Sequence, residues 1–426
     1  MDLLKKILTP LALSAAILMS CNNGVQNQEH PKLKSEISTS TLGTYQRPGG
    51  LSKRNNYSIS KNLAKEGTTL DQGSPYFTVN PTYTENENSF SDKPGFYNIN
   101  SPSSPLYEFT NTDLINFKIN LLNDNGKLVP RGLNLETLSI LGDIFVIPNV
   151  SDQIFRLYQD STTGQFVQDT TFTLKNDELF GITGVLFNNL DGNFYISQIP
   201  LYDRSADDPN SFVEVRQKRI ARLSLSDIVN GIINPTFFPI PDRKSNDPSF
   251  GMPNSLSSLP STNQKYAGDF FQFGDILKIT ENSSGEIYIA DSLDRRIYSF
   301  DSSNGAVKIF KDLDRPITSI AIDSADNLIV VKGILLDSNG NVAFPSELTK
   351  ISPNGDETDL CLLNNSFNFT SEATFEQNVP IEGVNYFFPE QDFSSLSVSE
   401  TDTSLNVYYA GYLDGIIQEI IIPKPY

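Results

Sequence analysis

The chain has 426 residues, a formal net charge of −19, one His, two Cys and no Trp. This acidic balance argues against a nucleic-acid-binding role, because affinity for phosphate groups depends on clustered Lys and Arg side chains. The only His, His30, lies in a segment without strand pattern, so catalysis by a histidine base is also excluded. A composition of 38% hydrophobic and 19% charged residues is that of a globular protein.

The N-terminal segment has the layout of an export signal. Two Lys residues precede an apolar run from Ile7 to Leu18, and Cys21 follows shortly after it. This pattern predicts a signal peptide over residues 1–20. A transmembrane helix would need about 20 apolar residues, whereas this run is shorter and contains Pro10.

The residues Leu18-Met19-Ser20-Cys21 resemble the lipobox of bacterial lipoproteins, whose Cys is acylated, for example with palmitate, and becomes the new N-terminus. The resemblance implies a membrane anchor on Cys21 and a place in the cell envelope. Asn22, directly after the anchor, points by resemblance to the bacterial outer membrane. An ordinary secreted protein is the alternative.

Two parts follow the signal. Residues 21–74 are rich in Ser, Thr, Asn, Gly and Lys and lack sustained periodicity, which predicts a lipidated Cys and a flexible tether. Residues 75–426 are predicted to form one folded domain.

A short β-branched and aromatic unit recurs along that domain. Its copies are FYNIN from Phe96, IFVIPN from Ile144, NFYISQ from Asn193, EIYIAD from Glu286, NLIVVKG from Asn327 and NVYYAG from Asn406. Several copies lie in a strand, polar turn, strand layout, and a third strand often follows. Most spacings are about 40 to 50 residues, as in β-propeller blades. We therefore predict an all-β propeller of six four-stranded blades, or seven or eight if an insertion hides a blade.

The blade from Gly285 to Phe310 resembles the NHL repeat. Ala290, Asp291, Arg296 and Ile297 fall on that pattern, but Asp294-Arg295 stands where NHL repeats carry Asn-His or Asn-Asn. The resemblance implies a propeller fold and leaves function open.

The sequence also predicts how the ring closes. The last blade has room for only three strands after Phe393, so an N-terminal strand is expected to complete it. YFTVN from Tyr76 is the candidate.

In a domain without His, carboxylate side chains are the remaining candidates for metal binding or catalysis. They could bind Ca²⁺, and gluconolactonase-like propellers use a divalent ion in this way. No residue-by-residue match to that family is present, so no cofactor is predicted, with Ca²⁺ as the open alternative. Asp301 and Asp337 begin Asp/Asn/Gly stretches that predict hairpin turns rather than calcium loops. Asp291 is predicted to cap its loop.

Long insertions are the main functional hint. Residues 201–218, 334–345, 241–269 and 366–392 are expected to emerge on one face, where binding surfaces are usually built. Their exposed-looking side chains are Tyr202, Arg204, Asp207, Asp208, Phe250, Tyr266, Phe270, Phe271, Tyr386, Phe387 and Phe388. Equally, these aromatic residues could only hold the loops against the blades.

Two functions follow. The first is a lipid-anchored, monomeric propeller that acts as a binding or scaffold module through its loop-rich face. Its partner would be a protein, peptide or glycan, and it would contact the membrane only through its lipid. The alternative is a divalent-metal-dependent hydrolase or lactonase with carboxylates in the central channel.

Overall fold

The structure is a computed structural model, and the part of the chain that it describes has gaps. The described residues are 37–44, 48–53, 75–79, 82–84, 89–91, 95–98, 104–109, 135–140, 143–148, 153–175, 177–179, 181–188, 190–198, 201–204, 212–241, 277–292, 294–363, 376–381, 384–389, 394–411 and 416–426. Antiparallel strands, numbered in chain order, dominate them.

Strands up to residue 175 form the first part of the fold. They are β1 (Ser38–Thr44), β2 (Pro48–Lys53), β3 (Pro75–Val79), β4 (Thr82–Thr84), β5 (Ser89–Ser91), β6 (Gly95–Asn98), β7 (Pro105–Glu108), β8 (Leu135–Ile140), β9 (Asp143–Pro148), β10 (Gln153–Gln159) and β11 (Phe166–Lys175).

The middle part holds ten strands, one short helix and a 3-10 turn among the described residues. They are the turn Asp177–Leu179, β12 (Ile182–Asn188), β13 (Asn193–Gln198), β14 (Leu201–Arg204), β15 (Phe212–Arg216), β16 (Arg219–Ser224), α1 (Leu225–Val229), β17 (Thr236–Pro239), β18 (Leu277–Glu281), β19 (Ile287–Asp291), β20 (Arg296–Asp301) and β21 (Ala306–Asp312).

The C-terminal part is again built of strands. They are β22 (Ile317–Ile322), β23 (Leu328–Lys332), β24 (Leu335–Leu336), β25 (Val342–Phe344), β26 (Glu347–Ile351), β27 (Glu357–Leu362), β28 (Glu376–Ile381), β29 (Val384–Pro389), β30 (Ser394–Glu400), β31 (Ser404–Gly411) and β32 (Ile416–Pro423).

Small four-stranded sheets form a ring. Five of them each use one continuous stretch of chain and are called blades 1 to 5: β2-β3-β6-β7, β8-β9-β10-β11, β12-β13-β16-β17, β18-β19-β20-β21 and β22-β23-β26-β27. Their first strands contact one another in order, and β30 contacts both β22 and β2. Because this cycle of first strands is closed, the fold is a β-propeller, as predicted.

The closing sheet combines both ends of the domain. Its order is β1-β32-β31-β30, and Ser38 lies opposite Ile421. An N-terminal strand therefore closes the ring as expected, but it is β1 and not the strand around Tyr76. That strand is β3, which lies inside blade 1. Among the described strands, five blades are each made from one stretch of chain, one fewer than the six predicted, and the composite closing sheet completes the cycle between blades 5 and 1.

The predicted boundary at residue 75 is too late. Strands β1 and β2 both lie within the predicted tether, residues 21–74. Their sequences, STSTLGT and PGGLSK, show no apolar alternation, so they carry no strand pattern of their own. Backbone pairing with an open sheet edge is what makes them strands.

The hydrophobic core lies between neighbouring blades. Strand β19 is buried along its whole length, and its side chains point alternately to the two adjacent blades. Ala290 packs with Val330 and Ile351 of blade 5, whereas Ile289 packs with Tyr195 of blade 3. Each junction is thus a separate apolar layer that holds two sheets face to face.

The recurring unit and the polar turns are confirmed. Five copies of the unit are the second strands of their sheets, β9, β13, β19, β23 and β31, and the first copy, β6, is the third strand of blade 1. The Asp337 carboxylate accepts hydrogen bonds from the backbone N–H groups of Asn339 and Asn341, and Gly340 has a φ of 78°. Asp301 acts likewise before Gly305, so both stretches are hairpin turns. Within the described residues, no helix is long and apolar enough to cross a membrane.

Candidate functional site

One end of the ring carries the extra strands. The second strands of blades 3, 4 and 5 end at Gln198, Asp291 and Lys332. Because equivalent strands of a propeller run in the same direction, these three residues mark the same end, which we call the insert face.

A hairpin leaves this face directly after blade 3's second strand. Strands β14 and β15 pair with each other and with no other strand among those described. In this hairpin Tyr202 lies opposite Glu214, and Arg204 opposite Phe212. Lys218 follows the hairpin and leads the chain back into β16.

A larger addition, the insert sheet, has the strand order β25-β24-β29-β28. Strands β24 and β25 come from the connection inside blade 5, whereas β28 and β29 come from the connection between blade 5 and the closing sheet. Leu336 lies opposite Phe387, which joins the two connections. The expectation that residues 334–345 and 366–392 emerge on one face therefore agrees with the described strands.

The insert sheet has a small apolar core of its own. Leu335 and Phe388 are fully buried, and the rings of Phe344 and Tyr386 meet edge to face with centroids 4.9 Å apart. By contrast, Val342 on β25 is 43% exposed. Val384 at the start of β29 is 52% exposed, so the sheet presents apolar side chains to solvent as well.

Arg315 attaches the insert sheet to the ring. Its guanidinium donates a hydrogen bond to the Pro345 carbonyl oxygen at 3.0 Å and pairs with the Glu347 carboxylate. The same group lies 5.8 Å from the centre of the Phe344 ring. Three contacts from one rigid, nearly buried cation fix the root of the sheet.

The predicted binding residues fall into two groups. Tyr202 and Arg204 lie in β14, and Tyr386, Phe387 and Phe388 lie in β29. Six others and the predicted anchor lie outside the described residues: Asp207, Asp208, Phe250, Tyr266, Phe270, Phe271 and Cys21. Phe388 is buried and Tyr386 contacts Phe344, so these two hold the insert sheet together. Ligand binding by this set stays a prediction.

A buried charge cluster, here the Lys218 cluster, lies where blade 3 meets blade 4 on the insert face. The Lys218 ammonium donates to one carboxylate oxygen of Asp291 and one of Asp294, each at 2.7 Å. The side chain of Lys218 is 1% exposed and that of Asp291 is 0% exposed. The Tyr298 hydroxyl lies 2.8 Å from the same Asp294 oxygen. Sequence reasoning missed Lys218, because a single Lys beside an insertion has no local pattern.

Asp291 also caps its loop, as predicted. Its second carboxylate oxygen accepts the backbone N–H of Asp294 at 2.9 Å. Burial raises the pKa of Asp291 to about 6, although the charge of Lys218 acts in the opposite direction. Arg295, which follows Asp294 in the chain, has a φ of 54°. This is a left-handed backbone conformation that Asn adopts more readily than Arg. Asp294, whose carboxylate contacts Lys218, directly precedes this left-handed residue.

A second charge group, the Lys332 cluster, lies where blade 4 meets blade 5. The Lys332 ammonium contacts Asp314 at 3.4 Å, Asp359 at 3.5 Å, and Glu357. Burial would lower the pKa of Lys332, but the hydrogen bond with Glu357 and the three negative charges raise it. The carboxylates of Asp314, Glu357 and Asp359 remain 59%, 28% and 35% exposed.

These contacts limit what the acidic side chains can do chemically. In the described part of the chain, no group of three or more His, Cys, Asp or Glu residues is arranged to hold a metal ion. The described carboxylates of the Lys218 and Lys332 clusters, and that of Glu347, are each paired with a Lys or Arg side chain. A metal ion would have to displace those cations before it could bind.

Comparison with known proteins adds little beyond the fold. No family model and no curated protein matches the chain. Solved structures that match most of it include virginiamycin B lyase from Staphylococcus aureus, with 12% identity, 91% of this chain and 99% of the other covered, and a TM-score of 0.41. A gluconolactonase-like protein has 11% identity, coverages of 92% and 95%, and a TM-score of 0.41. A Bacteroides thetaiotaomicron protein of unknown function has 8% identity, coverages of 90% and 76%, and a TM-score of 0.47. At these values none of them indicates a function for this chain.

Proposed function

We propose that this protein is a lipid-anchored β-propeller of the cell envelope that binds a protein, peptide or glycan partner through its insert face. The observation that carries the proposal is the insert sheet. Its four strands belong to no blade, and it keeps Val342 and Val384 exposed above a core of its own. Extra structure of this kind on a rigid scaffold is typical of binding surfaces.

The ring beneath the insert face is well suited to carry such a surface. The root of the insert sheet is fixed by Arg315, and the root of the β14–β15 hairpin is fixed by Lys218. Both cations are nearly buried, with side chains 5% and 1% exposed. A surface that is ordered before binding loses less conformational entropy when a partner docks.

The anchor part of the proposal rests on the sequence around Cys21. A lipidated Cys at the end of an apolar signal would hold the domain at a membrane surface, in the outer membrane if Asn22 acts as a sorting residue. Cys21→Ser is expected to release the protein from the membrane fraction into the soluble fraction, as measured by fractionation. Continued membrane retention of this variant would count against the anchor.

The alternative, a carboxylate-based metal hydrolase, predicts a bound divalent ion in the central channel. Metal analysis of the purified protein and thermal melting with and without EDTA test it directly. A bound ion together with an EDTA-sensitive melting temperature would favour the hydrolase. Melting that is indifferent to EDTA would favour the binding module.

The binding proposal is tested with two probe collections, a peptide display library and a glycan array. We expect hits that bind the wild-type protein and are lost in the double variant Val342→Asp/Val384→Asp, since two charges replace exposed apolar side chains of the insert sheet. The matched control is Ile309→Asp. Ile309 is 54% exposed on β21, the outer strand of blade 4 and not part of the insert sheet.

Loss of binding in the double variant alone supports the insert face as the binding surface. Equal binding by all three proteins, or loss in Ile309→Asp alone, places recognition elsewhere and overturns the proposal. Urea unfolding of each variant shows whether the propeller is intact, because substitutions of exposed side chains away from special features change stability little.

A further inference from the structure

Lys218, Asp291 and Asp294 form a group that differs from an ordinary surface ion pair in its burial and in its two carboxylates. One primary amine lies 2.7 Å from two separate carboxylates, and all three side chains are at least nine-tenths buried. Side chains buried to this degree have little contact with solvent, so their charges are compensated mainly by one another. Apolar and aromatic side chains of blades 3 and 4, including Tyr195, Ile220 and Tyr298, pack at the same junction.

We propose that Lys218 and Asp291 condense into an intramolecular amide cross-link between blades 3 and 4, with Asp294 as the proton carrier. The bond joins the Lys218 side-chain nitrogen to the Asp291 side-chain carbonyl carbon. It is a covalent modification of the scaffold, separate from any ligand that the insert face binds.

The first step is a proton transfer inside the buried pair. The Lys218 ammonium gives one proton to the Asp291 carboxylate, which leaves a neutral amine beside a neutral carboxylic acid. Burial favours this neutral pair over two charges, and it is also what raises the pKa of Asp291. A buried Lys readily acts as a neutral amine for the same reason.

The second step forms the bond. The amine nitrogen attacks the carboxyl carbon of Asp291, and negative charge develops on the oxygen that accepts the backbone N–H of Asp294 at 2.9 Å. That N–H stabilises the developing charge, as backbone donors do in oxyanion sites. Because the reacting groups are held in contact by the fold, the reaction has the advantage of an intramolecular process.

The third step releases water. The Asp294 carboxylate accepts one proton from the attacking nitrogen and delivers it to the leaving hydroxyl of Asp291. The carbon–oxygen bond breaks, and the products are one amide and one water molecule. No oxidant or reductant is needed, and the charge of Asp294 is unchanged at the end.

The contacts assign different roles to the two carboxylates. Asp291 is the more deeply buried and has its carbonyl oxygen on a backbone N–H, which suits the electrophile. Asp294 has the Tyr298 hydroxyl 2.8 Å from the oxygen that contacts Lys218, and this polar neighbour suits a proton carrier. The carboxylates of the Lys332 cluster are not buried in this way, since they are 28% to 59% exposed.

Peptide mapping of the full-length folded protein tests the proposal. Trypsin cannot cleave after an acylated Lys, so the expected product is peptide 217–219 joined to peptide 279–295, lighter than their sum by one water molecule. Fragmentation must place the bond between Lys218 and Asp291. Lys218→Arg, Asp291→Ala and Asp294→Ala are each expected to lack the linked peptide, whereas the control Lys332→Arg retains it.

Several outcomes would overturn the proposal. One is a folded wild-type protein in which peptides 217–218 and 279–295 appear only unlinked. Another is a bond that maps to Asp294, because this result reverses the assigned roles. A third is a bond that persists in Asp294→Ala, because the reaction would then not need Asp294 as its proton carrier. The wild-type result decides even if the variants do not fold, and circular dichroism of each variant shows whether a missing link reflects chemistry or unfolding.

Discussion

Two lysines are buried between blades on the same face, and their surroundings differ. Lys218 at the junction of blades 3 and 4 meets two carboxylates that are 0% and 7% exposed. Lys332 at the junction of blades 4 and 5 is 4% exposed, yet its carboxylates reach into water. The positive charge of Lys218 is thus neutralised by buried carboxylates, whereas that of Lys332 is neutralised by carboxylates at the protein surface.

The difference lies in what the two groups can contribute to stability. Buried partners cannot be resolvated when the cation is removed, so the Lys218 cluster depends on every member. Partners at the surface can turn to water, so the Lys332 cluster tolerates losses. The Lys218 cluster should therefore be the more sensitive of the two to the loss of a charged member.

Both junctions belong to a ring that is closed by pairing of β1 with β32. Deletion of residues 38–44, which removes β1, should lower the free energy of unfolding by at least about 4 kcal/mol. The reason is that β32 would lose its pairing partner and the closing sheet its fourth strand. Urea unfolding followed by tyrosine fluorescence measures the change.

A deletion of equal length, residues 24–30, serves as the control for this experiment. It shortens the chain ahead of β1 without touching a described strand. If both deletions have the same midpoint as the wild type, β1 does not close the ring.

Removing each Lys in turn tests the contrast itself. Measured against wild-type protein in which Lys218 and Asp291 are not cross-linked, Lys218→Met should cost about 3 to 5 kcal/mol, because it leaves two buried carboxylates without a cation. Lys332→Met should cost about 1 kcal/mol or less, since Asp314, Glu357 and Asp359 can be solvated. Urea unfolding of the two variants at neutral pH gives both values. Equal costs would mean that exposure of the partners does not decide the outcome.

Sequence could predict the strands of this fold better than its long-range contacts. The second strands were visible because units such as EIYIAD alternate and end in polar turns, and Asp291 was correctly assigned as a loop cap. Strand β1 was not visible, because STSTLGT has no apolar period and becomes a strand only by pairing with β32. Lys218 was missed for a related reason, since its partner Asp291 is 73 positions away in the chain.

Salt should change the stability cost of replacing Lys332 but not that of replacing Lys218. At about 1 M NaCl the screening length is about 3 Å, so charges in contact with water interact weakly. The cost of Lys332→Met should then fall by roughly half, whereas the cost of Lys218→Met should stay the same because its partners are sealed from ions. Unfolding of both variants and the wild type across a NaCl series measures this. A parallel decline for the two variants would show that the Lys218 cluster is open to solvent.

The pH dependence of stability tests Glu347, a carboxylate near Lys332 whose side chain is 13% exposed. Burial raises the pKa of Glu347. The positive charges of Arg315 and Lys332 lower this pKa, and the negative charges of Asp359 and Asp314 raise it further. A raised folded-state pKa gives a stabilisation that is complete below the ordinary value of 4.5 and is lost as the pH rises through the folded-state value. The stability of the wild type relative to Glu347→Gln should therefore decrease from about pH 4 toward neutral.

Glu400 on β30 provides the opposite sign for the same measurement. Despite some burial, hydrogen bonds from Lys424 at 2.6 Å and from the Ser324 backbone N–H lower its pKa. A lowered pKa gives a stabilisation that is present above the ordinary value and lost as the pH falls. From about pH 4 toward neutral, the free energy of unfolding of the wild type relative to Glu400→Gln should therefore increase by about 1 kcal/mol. Over the same pH range, its free energy of unfolding relative to Glu347→Gln should decrease. Slopes of the same sign for both variants would show that burial does not set the charge of Glu347.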